Sequence, residues 1–262
     1  MQRSGTLYTL GFAAAVCLVC SALVCGAAVA LKSRQELNVV IDRQEKILSV
    51  SGLVALDEAV AAAELQRRFD DNIVMRVVDL ATGEYAPNED ELLAAEYDMV
   101  EGAKDEETSV QAPANRARVK RLPKYAVVPQ VINDGKPDML ILPVWGQGLW
   151  SVLYGYIALD KDCTTVRGLT FYEHEETPGL GGEVDNPNWK ALWPGRKVFD
   201  NDGKPAIRLV KGRAGSVEEA PHAVDALSGA TITSRGVENL LNFWLSEHGY
   251  GPYLERFRET GS

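Results

Sequence analysis

The densest run of hydroxyl and small side chains in the chain is Ser228-Gly229-Ala230-Thr231-Ile232-Thr233-Ser234, introduced by Asp225-Ala226-Leu227. From Arg235 the pattern changes. Val237, Leu240, Leu241, Trp244 and Leu245 recur at spacings of three, one, three and one, an amphipathic helical stripe. His248-Gly249 is the expected stop, with Gly251-Pro252 beyond it. Thr231, Thr233 or Ser234 therefore falls at a helix N-terminus, where unpaired N–H groups and the positive dipole end favour a phosphate. Gly229 and Ala230 keep the approach open. The same residue types are ordinary helix N-caps, so composition also allows a plain cap and turn. The stretch is not built as a self-acting nucleophile. A catalytic Ser or Thr needs a base oriented by a third group, and only His222 and Asp225 are near in sequence, with nothing to place them.

A second stretch able to meet a ligand is His174-Glu175-Glu176-Thr177-Pro178-Gly179-Leu180-Gly181-Gly182-Glu183. A Pro-Gly turn with further glycines brings backbone N–H groups close to whatever lies beside it. A plain loop between a strand and the segment Trp189–Trp193 is the alternative. No second histidine stands at ligand spacing from His174, so no metal site is expected.

The elements that must position these stretches are legible in part. Residues 35–53 read as a helix continuing out of an apolar segment, and a second helix is expected over residues 55–69, with Val54, Leu56, Val60, Ala63 and Leu65 as its apolar positions. Ile73–Leu80 is strand-like, with a turn at Thr82-Gly83. Residues 122–132 and 139–144 read as strands around the turn Asn133-Asp134-Gly135-Lys136-Pro137. Residues 151–159 and 166–172 add two more, with a bulge expected at Gly168.

Ser4 to Leu31 contains no charged residue and would span about 42 Å as a helix, more than the roughly 30 Å hydrocarbon core of a bilayer. A cleaved signal peptide is the rival reading, because Ala28-Val29-Ala30 has the small-x-small pattern. The apolar run is longer than such peptides use, so a retained anchor is expected. Arg3 precedes the run, while Lys32, Arg34, Arg43 and Lys46 follow it. That count favours a cytoplasmic bulk, but long domains translocate largely regardless of charge. Cys17, Cys20 and Cys25 lie inside the anchor, where cysteine serves as a small apolar side chain. A cluster shared with partner subunits is the alternative. Cys163 stands alone in the rest of the chain, so no disulfide is expected there. The anchor holds no ionisable residue, so this chain alone should not conduct an ion.

The net charge is −10, and Asn88–Val110, with nine acids and one Lys, carries −8 of it. A solvated or disordered insert is the expectation there, with cation capture the alternative. No basic stripe is present, which argues against nucleic-acid binding.

Asp225-x-x-Ser228-Gly229-Ala230-Thr231 resembles the flavinylation motif of FMN-binding domains in bacterial respiratory complexes. His174-x-Glu176-Thr177-Pro178-Gly179-Leu180-Gly181, Gly148-Leu149-Trp150, Asn186-Pro187-x-Trp189 and Val210-Lys211-Gly212 stand in the same order. So does the helix Asn38-Val39-Val40-Ile41-Asp42-Arg43-Gln44-Glu45-Lys46-Ile47-Leu48. Together they are similar to the C subunit family of the Na⁺-translocating NADH:quinone reductase.

The resemblance implies FMN joined by a phosphoester to Thr231, attached by a separate flavin transferase that uses FAD as donor. It places Glu176, Thr177 and Leu180 against the flavin ring. Ser228, Gly229, Ala230, Thr233 and Ser234 would lie along the phosphate and ribityl chain. Trp150 would pack near the flavin or in the core, and Lys211 would offset the phosphodiester charge. The partners implied are the other subunits of a membrane complex, the transferase and membrane lipid. The location implied is the bacterial inner membrane, with the bulk of the chain periplasmic.

No G-x-G-x-x-G strand–turn–helix fingerprint occurs, so NADH is expected to bind another subunit. The runner-up is the G subunit of the related ion-motive electron-transport complex. An anchored assembly domain that never carries flavin is a third reading. The fold expected, partly from strand spacing and partly from the resemblance, is α+β. A single transmembrane helix precedes a mostly antiparallel sheet flanked by helices. The divisions are 1–34 for the anchor, 35–120 for membrane-proximal helices, strand and acidic insert, and 121–262 for the FMN-binding domain.

Overall fold

Helix α1 (Thr6–Val50) is the longest element in the computed structural model, which describes residues 5–55 and 58–261. Arg3, which precedes the apolar run, Ser4, which opens it, and Leu56 of the expected second helix lie outside the described residues. Two compact units divide between Arg43 and Gln44. The first is α1 up to Arg43. Side chains 8–40 are exposed all round the helix, and the segment is long and apolar enough to cross a membrane. A helix apolar on every side that is covered by nothing in its own unit suits lipid as its solvent.

The second unit begins with the end of α1, where Ile47, Leu48 and Val50 are buried. Helix α2 (Ala62–Asn72) follows, starting seven residues later than the sequence pattern predicts. It runs directly into strand β1 (Ile73–Asp79).

The acidic stretch is a correction to the sequence reading. It is not a disordered insert: it forms helix α3 (Glu89–Ala94), helix α4 (Met99–Gly102) and strand β2 (Ser109–Gln111). Met99 is 5 % exposed and packs into the main core, with Tyr97, Val100 and Ala103 packed against that core. Asp98 caps α4 by accepting the Val100 N–H at 2.7 Å, and Glu89 accepts the Val77 N–H at 2.7 Å. Much of the acidity is therefore solvated charge on the outside of short ordered elements.

Residues 121–133 hold two strands rather than one. β3 (Arg121–Pro123) pairs with β2 in a small sheet, and β4 (Tyr125–Asn133) joins the central one. β5 (Lys136–Gln147), β6 (Val152–Asp160) and β7 (Val166–Glu173) complete a five-stranded sheet of order β1-β4-β5-β6-β7. Every neighbouring pair in it is antiparallel. The β4–β5 connection is the two-residue turn Asp134-Gly135, with φ of 49° and 73°. Two positive φ values match the twist of a tight hairpin, and Asp-Gly tolerates them. The β4–β5 ladder stops at Gln130–Leu140. Pro129 and Pro143 lie just beyond, and neither can donate to a ladder. The β6–β7 register shifts beside Gly168, as the sequence predicts. A Cβ there would come within 2.6 Å of the Val50 carbonyl oxygen, so the glycine lets the end of α1 lie on the sheet.

A 3₁₀ turn (Gly181–Asp185) and helix α5 (Pro187–Lys190) follow β7. The short parallel pair β8 (Arg208–Val210) and β9 (Ala223–Asp225) comes next. Helix α6 (Thr231–Trp244) then crosses β5. At the crossing a Cβ on Gly236 would lie 2.6 Å from the Gln147 carbonyl oxygen, so helix and strand approach closely. Trp244 donates its indole N–H to the Trp145 carbonyl at 2.7 Å, with the two rings 4.2 Å apart. Helix α7 (Gly251–Thr260) begins where the sequence suggests only a stop, because Pro252 sits in its first turn. β1, from the segment 35–120, belongs to the central sheet, and the compact unit runs from Gln44.

Candidate functional site

β5 and β7 run the same way in the antiparallel sheet, so both deliver loops to one end of it. The turn Leu227–Ala230, leading into α6, arrives there too. Three segments thus meet: residues 148–151 after β5, residues 174–180 after β7, and residues 227–234.

Glu176 ties them together. It is 5 % exposed. One carboxylate oxygen accepts the backbone N–H groups of Leu149 and Trp150, both at 2.9 Å. The other accepts the Thr233 hydroxyl at 2.5 Å. Gly148 and Gly181 leave the room it needs. A Cβ on Gly148 would stand 2.5 Å from its Oε1, and one on Gly181 would strike Oε2. The Glu176 carboxylate, expected against a flavin ring, is turned inward and spent on bonds within the protein.

Ala230, rather than a hydroxyl residue, occupies the N-cap of α6, and no side chain caps it. The first turn closes with the Ser234 N–H to the Ala230 carbonyl, 2.9 Å. The amides of Thr231, Ile232 and Thr233 have no acceptor among the described residues. Thr231 is exposed, and its hydroxyl makes no hydrogen bond among those residues. Ser228 and Gly229 are exposed beside it. Gly229 has φ +73°, and a Cβ on it would meet Leu180 Cδ2 at 2.9 Å, so the turn packs against the Pro178-Gly179-Leu180 loop.

Thr233 and Ser234, expected along a phosphate and ribityl chain, are buried. They are 0 % and 2 % exposed. Ser234 Oγ accepts the Leu227 N–H at 3.0 Å and donates to the Ala230 carbonyl at 2.9 Å. Both hydroxyls lie on the face of α6 that packs on β5, in phase with Val237, Leu240, Leu241 and Trp244.

Trp150 is 67 % exposed, which rules out the core-packing alternative. Leu149, Leu180 and Ile232 are exposed as well, giving the converging loops an apolar rim. Ile232 does not stand out in the sequence. The available signal is its phase, one position off the buried stripe that includes Thr233. Thr177 is exposed, and its carbonyl accepts from Leu180 at 3.1 Å and Gly182 at 3.0 Å to shape the loop.

A second feature that sequence reasoning missed supports the loop from behind. His174 Nδ1 accepts the Glu176 N–H at 3.2 Å, which puts the proton of the neutral ring on Nε2, facing Asp185 at 2.8 Å. Lys190 lies 3.4 Å from the same carboxylate. Burial opposes the charged form of Asp185, but the His174 bond and the Lys190 ammonium outweigh it and hold its carboxyl below the usual range. Burial pulls the Lys190 ammonium down, against the pull of Asp185.

His222 and Asp225 are both engaged elsewhere. His222 Nδ1 is 2.8 Å from the Lys197 carbonyl. Asp225 accepts the Ala214 N–H at 2.7 Å, and its carbonyl accepts the Trp189 indole N–H at 2.9 Å. Lys211 follows β8, whose Val210 is level with Asp225. It is exposed, with no ion pair among the described residues.

The site thus presents an unbonded hydroxyl and the unpaired amides of two exposed residues, Thr231 and Ile232, beside an apolar rim. Those amides suit a phosphodiester, and the rim suits a flat aromatic ring, so the residues present fit FMN.

Residues 148–246 match the family described as FMN-binding domain. The chain is 46 % identical over 261 residues to the C subunit of the Na(+)-translocating NADH-quinone reductase of Pseudomonas aeruginosa, covering 98 % of each. It is 45 % identical over 247 residues to the protein of the same name in Yersinia pestis, covering 93 % of this chain and 90 % of that one. Among solved structures, Shewanella oneidensis NqrC aligns with a TM-score of 0.74 at 35 % identity, over 87 % of this chain and 99 % of that one.

Proposed function

The chain belongs to the C subunit family of the Na(+)-translocating NADH-quinone reductase, and on that premise we propose that it is the member of the complex that carries electrons on FMN joined through a phosphoester to Thr231. The observation that carries this reading is the state of Thr231. Its hydroxyl is exposed and unbonded among the described residues, next to its own unpaired amide and that of Ile232, at the last position of an intact Asp225-x-x-Ser228-Gly229-Ala230-Thr231.

Bound FMN accepts and donates electrons, and the protein supplies binding, orientation and electronic tuning. The amides of Thr231 and Ile232 hold the phosphodiester, with Lys211 offsetting its charge. Ser228 and Gly229 leave the ribityl chain room. Thr177, Leu180, Leu149, Trp150 and Ile232 face the ring and keep water from one side of it.

Attachment needs an outside enzyme, because His222 and Asp225 are committed to other bonds. A flavin transferase uses FAD. The bond from Thr231 Oγ to the FMN phosphorus forms, the pyrophosphate P–O bond breaks and AMP leaves. The hydroxyl proton passes to a base on the transferase. α1 anchors the chain in the inner membrane with the flavin domain on the periplasmic side, and NADH binds another subunit. Near-full-length similarity to the C subunit favours this reading over the G subunit of the related complex.

The test is intact-protein mass after co-expression with a flavin transferase. Wild type is expected to gain the mass of one FMN less water, and Thr231→Ala to gain none. An unmodified wild type, beside a control substrate that is modified, would leave the flavin-free assembly domain as the better reading.

A further inference from the structure

We infer that Glu176 is the positioning residue that sets Thr231 and the Trp150 loop in register for flavin attachment, without touching the reacting atoms. The inference rests on the covalent-flavin reading above.

A buried carboxylate is costly unless its oxygens are hydrogen-bonded. Here they accept two amides from one segment and a hydroxyl from another, and no cation among the described residues pairs with the carboxylate. Two glycines flank it where any Cβ would collide with its oxygens. The structure has thus made space for this group rather than merely tolerated it.

The geometry explains what the arrangement achieves. Successive helical residues are about 100° apart, so Thr231 and Thr233 project about 200° apart around α6. Pinning Thr233 inward on Glu176 turns Thr231 outward. The other carboxylate oxygen fixes the amides of Leu149 and Trp150, whose side chains form part of the exposed rim. One group therefore sets both the acceptor hydroxyl and the surface beside it. His174, accepting the Glu176 N–H, holds the latch from the opposite side.

The experiment follows FMN attachment over time by intact mass, using the full chain, FAD and a flavin transferase, with thermal unfolding of each variant. Glu176→Ala is expected to slow attachment by about tenfold or more, the scale of effect that misplacing a reacting group produces. Glu176→Gln keeps an acceptor for the two amides and offers an N–H to the Thr233 oxygen, so it should recover to within about threefold of wild type. Equal rates for Glu176→Ala and wild type would overturn the inference, as would a Gln variant as slow as Ala, which would point to charge rather than geometry. If Glu176→Ala does not fold, Thr233→Val decides: slower attachment supports the latch, and the wild-type rate overturns it. A wild type that takes up no FMN fails the covalent reading itself, and the inference falls with it. A loaded wild type beside equally loaded variants fails the inference alone.

Discussion

Thr231 and Thr233 stand two positions apart in the first turn of α6, and they belong to different regions of the molecule. Thr231 lies on an outer rim with Ser228, Gly229 and Ile232, where polar groups are left open and apolar side chains face solvent. Thr233 lies on an inner face with Ser234, Gly236 and Val237, where every hydroxyl is bonded and the backbone of α6 approaches that of β5. The rim keeps a hydroxyl and backbone amides without partners among the described residues. The inner face is already complete and serves to aim the rim. Substitutions on the inner face should therefore register as stability and geometry, and those on the rim as ligand chemistry with little change in stability.

Gly236→Ala is the most severe test of the inner face. An added methyl would stand 2.6 Å from the Gln147 carbonyl oxygen, a backbone atom with little freedom to move. Ala favours a helix by roughly 0.8–1 kcal/mol over Gly, while overpacking costs about 1–3 kcal/mol. Chemical denaturation should show a net loss of about 1–2 kcal/mol. Unchanged stability would mean that helix and strand are less closely apposed.

The two serines give a paired comparison. Ser234→Ala removes the acceptor of the buried Leu227 N–H and should cost about 1–2 kcal/mol. Ser228→Ala, on the rim, should stay within about 0.5 kcal/mol of wild type. Equal costs would break the distinction between the two regions.

The smallest effect concerns the support behind the loop. Asp185 has a lowered native pKa, so its contribution is complete above its unfolded value near 4 and is lost as pH falls through the native one. The stability gap between wild type and Asp185→Asn should narrow as pH drops below about 4. The carboxylate is half exposed, so the gap itself should be small. A gap independent of pH would deny Asp185 a charged role.

The parts of this protein that are legible in its sequence depend on local order. Periodicity locates α6, alternation and the Asp134-Gly135 turn locate the hairpin, and an uncharged run locates the membrane-crossing segment of α1. The resemblance of Asp225-x-x-Ser228-Gly229-Ala230-Thr231 to a flavinylation motif implies the candidate attachment point. Helix starts and stops are harder to read. α2 begins at Ala62, and α7 opens at Gly251-Pro252, where the sequence suggests only a stop. The acidic stretch misleads because its charge resembles that of a disordered segment, while Met99, Tyr97, Val100 and Ala103 pack its short elements on the core.

By itself, then, the sequence determined where hydroxyls cluster at a helix N-terminus and that one helix is long and apolar enough to cross a membrane, because both follow from neighbours along the chain. Only the tertiary structure decided which hydroxyls remain open. Thr231 and Thr233 are chemically alike, and what separates them is a carboxylate 57 residues away in sequence from Thr233, carried in by β7. A hydrogen bond across that separation exists only once the sheet has brought the loops to one end, so the facing of each side chain is a property of the fold.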